Sequence, residues 1–71
     1  MTTTRKPLAL RITRARKAKG LSMYAAAKGA NMPPHSWLGY EQGKMPGLAQ
    51  AAKIADVLDV SLDWLAGRET T

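Results

Sequence analysis

Residues 21–43 read LSMYAAAKGANMPPHSWLGYEQG, and this stretch decides the fold. Ser22 is a good N-cap, because its hydroxyl oxygen can accept a hydrogen bond from an amide of the first helical turn. The spacing predicts a short helix over residues 23 to about 28. Residues 29–31 interrupt it, and Asn31 tolerates the positive φ that a tight turn requires.

A second helix of this stretch begins at Pro33 or Pro34 and ends near Gln42. Proline is favoured in a first helical turn, because its missing N–H would have no partner there anyway. Trp37 and Tyr40 are spaced to lie on one face of this helix and to reach the core. Two short helices joined by a few residues predict a helix-turn-helix.

The flanking segments predict three more helices. The first runs from about Pro7 to Lys19, the fourth from about Leu48 to Leu58, and a short fifth follows the N-cap Ser61 and ends at Gly67. The expected buried positions are Leu8, Ile12, Ala15 and then Ala18 or Lys19 in the first helix, and Leu48, Ala51, Ala52, Ile54, Ala55 and Leu58 in the fourth. Runs of alternating β-branched residues are missing, so the prediction is an all-α, five-helix bundle.

Length and composition indicate one domain. The chain has 71 residues and no cysteine, so neither a disulfide nor a thiolate metal site can support it. We expect a flexible basic arm over residues 1–7, the helical domain over 8–67 and a flexible tail over 68–71. No apolar segment is long enough to span a bilayer, which predicts a soluble, cytoplasmic protein.

The sequence offers no chemistry typical of an enzyme. The lone His35 has no acid near it in sequence, and no nucleophile pattern is evident. Metal-ligand spacing and a glycine-rich phosphate loop are also missing. We therefore expect no catalytic activity, no metal and no cofactor.

Charge divides the chain into two unequal halves. Residues 1–40 carry eight basic side chains and no acid, whereas residues 41–71 carry three basic and five acidic ones. The halves are thus +8 and −2, which together make the net charge of +6. A basic lobe of this size indicates a polyanionic partner, with nucleic acid ahead of an anionic membrane.

Several segments, in order, resemble one known family. Residues 10–22 are similar to the first helix and turn of the lambda-repressor/Cro-like (xenobiotic-response-element type) helix-turn-helix family, and residues 24–27 resemble its second helix. Residues 37–46 are similar to its segment of hydrophobic-x-x-hydrophobic-Glu-x-Gly-x-x-x-Pro type, with two residues rather than three between Gly43 and Pro46. The closest similarity is over residues 52–67, the fourth and fifth helices.

The resemblance implies double-stranded DNA as the ligand and assigns a role to the third helix. In this family it lies in the major groove and reads base edges. The resemblance also implies an ion pair between Arg16 and Glu41. The corresponding base-reading positions are Pro34, His35, Ser36, Leu38 and Gly39. Only two of them are polar, where the family typically has residues that reach base donors and acceptors.

Phosphate contacts are expected around this helix. The resemblance and the charge together nominate Arg11, Arg14, Ser22, Met23, Lys28, Asn31 and Lys44. Met23 stands where the family often has a glutamine that helps to clamp a phosphate, so that contact should be weaker here.

One recognition helix gives limited specificity, so a homodimer on two half-sites is expected. The candidate interface residues are Leu62, Trp64 and Leu65, each of which could instead complete the monomer core. The main prediction is a small transcriptional regulator, a repressor from a phage or mobile element. The alternative is a helix-turn-helix that binds another protein, such as an antiactivator, through Met23, Met32 and Leu38. Basic residues scattered around the first helix argue against a membrane partner.

Overall fold

Five α-helices make up the part of the chain that the computed structural model describes, residues 7–67. They are α1 (Pro7–Ala18), α2 (Met23–Gly29), α3 (Pro34–Glu41), α4 (Leu48–Leu58) and α5 (Leu62–Ala66). Within this range there is no strand, which confirms the all-α prediction. The arm and tail expected from the sequence lie outside the described residues, except that Pro7 already begins α1.

Serine caps and left-handed residues set the helix boundaries. Ser22 Oγ accepts the Ala25 amide hydrogen at 3.0 Å, and Ser61 Oγ accepts that of Trp64 at 3.0 Å. Asn31 has φ 58°, as the turn chemistry predicts, and Asp59 has φ 59° just after α4. Helices α2 and α5 therefore each begin after a serine whose hydroxyl oxygen accepts a hydrogen bond from a backbone amide of the first turn.

The core is built around α1, which contacts α3, α4 and α5. The largest fully buried side chains of the core are Trp37, Ile12, Ile54, Leu58 and Leu65. Between α2 and the rest, the small side chains Ala26 and Ala27 are completely buried and allow the helices to approach closely. In a domain this small, such packing is the main source of stability.

Glycine at position 29 permits the closest of these approaches. A Cβ added there would lie 2.5 Å from Val57 Cγ2 on α4, well inside van der Waals contact. Only a residue without a side chain therefore lets the end of α2 pack against α4 as it does.

Two expectations about buried positions were wrong. Leu48 is 79% exposed, because as the first residue of α4 it lies on the wall of an open surface groove instead of in the core. In α1 neither Ala18 nor Lys19 is buried, since the helix has by then passed the end of the core. Ala9, which the sequence did not single out, is buried instead at the opposite end of the helix.

Candidate nucleic-acid interface

The α2–α3 unit is joined by a turn that backbone hydrogen bonds hold in place. The Met32 amide donates to the Ala27 carbonyl at 3.0 Å, and the Asn31 amide donates to that of Lys28 at 3.0 Å. Pro33 takes the N-cap position with extended backbone, so α3 begins at Pro34. Because two successive residues of the turn are bonded back to α2, the turn is held against the end of that helix where it leads into α3.

The carboxylate of Glu41 anchors the other end of α3 in the core. Glu41 is 4% exposed. Arg16 Nε donates to its Oε2 at 2.6 Å, and Thr13 Oγ1 donates to its Oε1 at 3.0 Å. Trp37 Nε1, one turn earlier on α3, also donates to Oε2. A buried carboxylate is tolerated only when paired and hydrogen-bonded in this way.

Arg16 in turn connects three elements. It lies on α1, pairs with Glu41 on α3, and donates from Nη1 to the Leu21 carbonyl at 2.8 Å in the loop before α2. The planar guanidinium can make these bonds at once because its donors point in different directions. The structure thus brings together the two residues that the resemblance paired, and the cluster orients α2 and α3 against α1.

The outward face of α3 carries few polar groups. His35 and Pro34 are exposed, Leu38 is 38% exposed, and Ser36 and Gly39 are half-buried. The five positions that the resemblance assigned to base reading are therefore accessible to different degrees. Only His35 and Ser36 offer hydrogen-bonding side chains.

Sequence reasoning missed Gln42 on this face. The residue is the C-cap of α3 with φ −95° and ψ −1°, so it extends the helical geometry by one residue, and its side chain is exposed. It follows His35 by seven residues and Gly39 by three, a spacing that places all three on one side of a helix. This spacing was the signal in the sequence from which Gln42 could have been identified.

Lys44 lies against α3 although it belongs to the following loop. Its amide donates to the Gly39 carbonyl at 2.9 Å. A Cβ added at Gly39 would be 3.6 Å from Lys44 Cδ, so the lysine stem runs over the bare backbone of the helix. Its Nζ lies 5.9 Å from the centre of the Tyr40 ring, within the range of a cation–π contact.

The remaining phosphate candidates divide into two groups. Ser22, Met23, Lys28 and Asn31 belong to α2 and the turn and are exposed. Lys28 and Asn31 line an open pocket of about 390 Å³ together with Tyr24 and Pro34 at the start of α3. Lys28 and Asn31 of this first group therefore lie beside the start of α3.

Arg11 and Arg14 form the second group, on α1. The Arg11 guanidinium lies 5.2 Å from the centre of the Trp64 ring on α5 and beside Gly67. Arg11 is five residues from Arg16, roughly 140° around the helix, so these two arginines serve opposite flanks of α1. Arg14 is exposed. The structure does not bring Arg11 to α3, and its guanidinium stabilises the α1–α5 contact instead.

Of the three dimer candidates, Leu65 is the most deeply buried. Its side chain is 1% exposed and belongs to the core, which is the alternative that the sequence left open. Trp64 is half-buried and packs against the core. Leu62, at the start of α5, is the exposed member of the set.

Leu62 borders an open apolar groove of about 470 Å³. The groove runs along the start of α1, the α3–α4 loop, the start of α4 and α5. Its apolar lining includes Leu8, Met45, Pro46, Leu48, Ala51 and Leu62.

Within residues 7–67, no group of three or more histidine, cysteine or acidic side chains is placed to hold a metal ion. None of the described helices has the length and hydropathy that crossing a membrane requires.

A family model for the helix-turn-helix matches residues 12–65, which are most of the chain. The match includes α2, α3 and α4 in full, together with most of α1 and α5. The chain belongs to the lambda-repressor/Cro-like helix-turn-helix family. Membership indicates a DNA-binding domain of the kind that transcription regulators use. Searches of curated proteins and of solved structures gave no significant match.

Proposed function

We propose that this helix-turn-helix protein is a small cytoplasmic transcriptional regulator that represses by occupying an operator in double-stranded DNA. The observation that carries the proposal is the fixed presentation of α3. Glu41 is held in the core by Arg16, so the buried face of the helix is fully engaged and its opposite face is left for the major groove. A helix presented in this way can be laid in a groove as a rigid element.

The surroundings of α3 supply the electrostatics that a DNA contact needs. The first 40 residues hold eight of the eleven basic side chains. Lys28, beside the start of α3, and Lys44, against Gly39 in its second half, are both exposed. Ser22 and Asn31 add polar groups at the ends of α2. We assign the phosphate contacts to these four residues and to the backbone at Met23, with Arg14 as a more distant contribution.

Titration of a labelled duplex at several salt concentrations tests the DNA proposal. Counterion release predicts an affinity loss of about tenfold between ~50 and ~200 mM salt for each pair of phosphates contacted. Lys28→Ala should reduce the affinity for every sequence alike and flatten the salt dependence. Lys53→Ala, an exposed lysine on α4, is the matched control and should change neither. Failure to bind any duplex at ~50 mM salt would refute the proposal.

A homodimer completes the proposed reader. The groove beside Leu62 includes Met45 and Leu48, which are 56% and 79% exposed, and such apolar surface is a natural interface. The groove also includes the α3–α4 loop, so pairing there would bring the two α3 helices to either side of a two-fold axis. The domain measures 31 × 26 × 24 Å, comparable with the roughly 34 Å between half-sites one helical turn apart.

Leu62→Asp tests the dimer. An aspartate at the first position of α5 suits the helix N-terminus, so the fold should be retained while the groove becomes charged. We expect sedimentation to report the monomer mass and the affinity for a two-half-site operator to fall by about tenfold or more. Leu38→Asp places the same change on α3 and should leave the mass unchanged. An unchanged mass for Leu62→Asp would exclude this face as the interface.

One observation favours a second candidate function. Tyr24, Met23 and Leu38 are all exposed on the α2–α3 unit, where a protein partner could cover them. A protein-binding regulator, such as an antiactivator, would bind its partner through this unit and lose it on Leu38→Asp. It would also bind duplex DNA weakly and without sequence preference. Selection from a randomised duplex pool therefore distinguishes the two candidate functions.

A further inference from the structure

The reading face of α3 has a gap in its middle. His35 and Gln42 stand at its two ends, about 10 Å apart along the helix axis, and Gly39 lies between them. A glycine offers no group to a base edge. Taken alone, α3 would therefore contact the bases at its ends and leave the centre of its footprint unread.

The loop after α3 fills that gap. The Lys44 side chain lies across Gly39, with its Cδ 3.6 Å from the position a Cβ would take. The Lys44 amide is bonded to the Gly39 carbonyl, so the start of the stem is held at that turn of the helix. Lys44 is exposed, and its ammonium lies at the helix surface, 5.9 Å from the centre of the Tyr40 ring.

We propose that His35, Lys44 and Gln42 form one composite reading row, in which a lysine from the loop replaces the side chain that Gly39 lacks. The inference rests on the proposed DNA-binding function and changes the role of Lys44 from a backbone contact to a base contact. It also makes Gln42 a determinant of specificity. The row spans about three base pairs when α3 lies along the groove.

The chemistry of the row defines the bases that it prefers. Glutamine pairs in a bidentate way with the N6 and N7 atoms of adenine, and lysine donates to the O6 and N7 atoms of guanine. His35 can donate to or accept from a base at the start of the helix. The expected half-site therefore contains a guanine next to an adenine, read by Lys44 and Gln42 respectively.

Selection from a randomised duplex pool with the full chain, followed by anisotropy titrations on single-base variants of the selected site, tests the inference. Gln42→Ala should reduce the discrimination at one position by about tenfold and leave the other positions as they were. Lys44→Ala should do the same at the neighbouring position. Lys53→Ala is again the matched control, and circular dichroism verifies that each variant is folded.

Gly39→Leu separates the position of the lysine from its charge. Leucine is a better helix former than glycine, so α3 should be retained, but its side chain would displace the Lys44 stem from the helix. We expect the base preference of Lys44→Ala to be reproduced while the ammonium is still present. A lysine that only contacts phosphate would retain the original preference in this variant.

The outcomes distinguish the two levels of the argument. A wild-type protein that binds no duplex overturns the proposed function and this inference with it. A wild-type protein that binds DNA with sequence preference, but whose Gln42→Ala and Lys44→Ala variants weaken uniformly at every base, overturns the reading row alone.

Discussion

The two faces of α3 differ in how closely their side chains contact the rest of the domain. On the inner face, Trp37 is fully buried and the Glu41 carboxylate accepts hydrogen bonds from three different side chains. On the outer face, a histidine, a leucine and a glycine make few contacts within the domain. The inner face therefore determines where the helix lies, and the outer face is left for the proposed DNA contact. Substitutions on one face should alter stability and those on the other binding.

Of the substitutions that test this comparison, Glu41→Ala should lower the free energy of unfolding most. Removing the carboxylate leaves the Arg16 guanidinium buried without its partner, which costs about 3–5 kcal/mol of unfolding free energy. That is a large share of the ~5–15 kcal/mol that stabilises a typical domain. Chemical denaturation measures the loss. Asp56→Ala, which removes an exposed acid from α4, should change stability by less than about 0.5 kcal/mol. Equal effects for the two variants would show that the cluster does not anchor α3.

Gly29→Ala should have an intermediate effect on the interior. The added methyl group would meet Val57 Cγ2 at 2.5 Å and force α2 and α4 apart. Overpacking of this kind costs about 1–3 kcal/mol. Val57→Ala in the same chain removes the opposing methyl groups, so the double variant should be more stable than the sum of the two single losses predicts. Strict additivity would contradict the proposed contact.

Gly39→Ala should have the smallest effect on the free energy of unfolding, and it should stabilise the domain instead of destabilising it. Its Cβ meets only the Lys44 stem at an ordinary contact distance, and the position lies inside a helix. Replacing glycine by alanine there should raise the unfolding free energy by about 0.5–1 kcal/mol. Thermal unfolding of Gly29→Ala and Gly39→Ala, measured together, compares the interior with the outer face directly. A loss of stability at position 39 would mean that this turn of α3 is less open than the contact distance indicates.

Local sequence signals predicted the helices well. Serine caps, the prolines of α3 and the left-handed Asn31 depend only on neighbours in the chain, so their consequences can be read without knowing the fold. Errors arose at helix ends, where Leu48 and Ala18 continue an apolar pattern beyond the elements that could cover them. Periodicity reports which side of a helix is apolar, not how far along its length a neighbour extends.

The interface was predicted less completely than the fold. Leu65 and Leu62 have the same side chain three residues apart, but one fills the core and the other is exposed. Arg11 was grouped with the phosphate contacts because of its charge, whereas the structure places its guanidinium on Trp64. A charge in the sequence does not indicate which neighbour the folded chain brings beside it.

The sequence by itself determined the class of the fold, the order and limits of the helices, the basic half and the family. The fold class, the helices and the basic half follow from propensity, capping and composition, which act over a few residues or over the whole chain. The family follows from the resemblance of successive segments within residues 10–67. Only the tertiary structure decided that Arg16 also donates to the Leu21 carbonyl before α2, that Thr13 and Trp37 share the Glu41 carboxylate, and that Lys44 lies across Gly39. Those arrangements depend on groups brought close by packing, and spacing along the chain does not encode their distances.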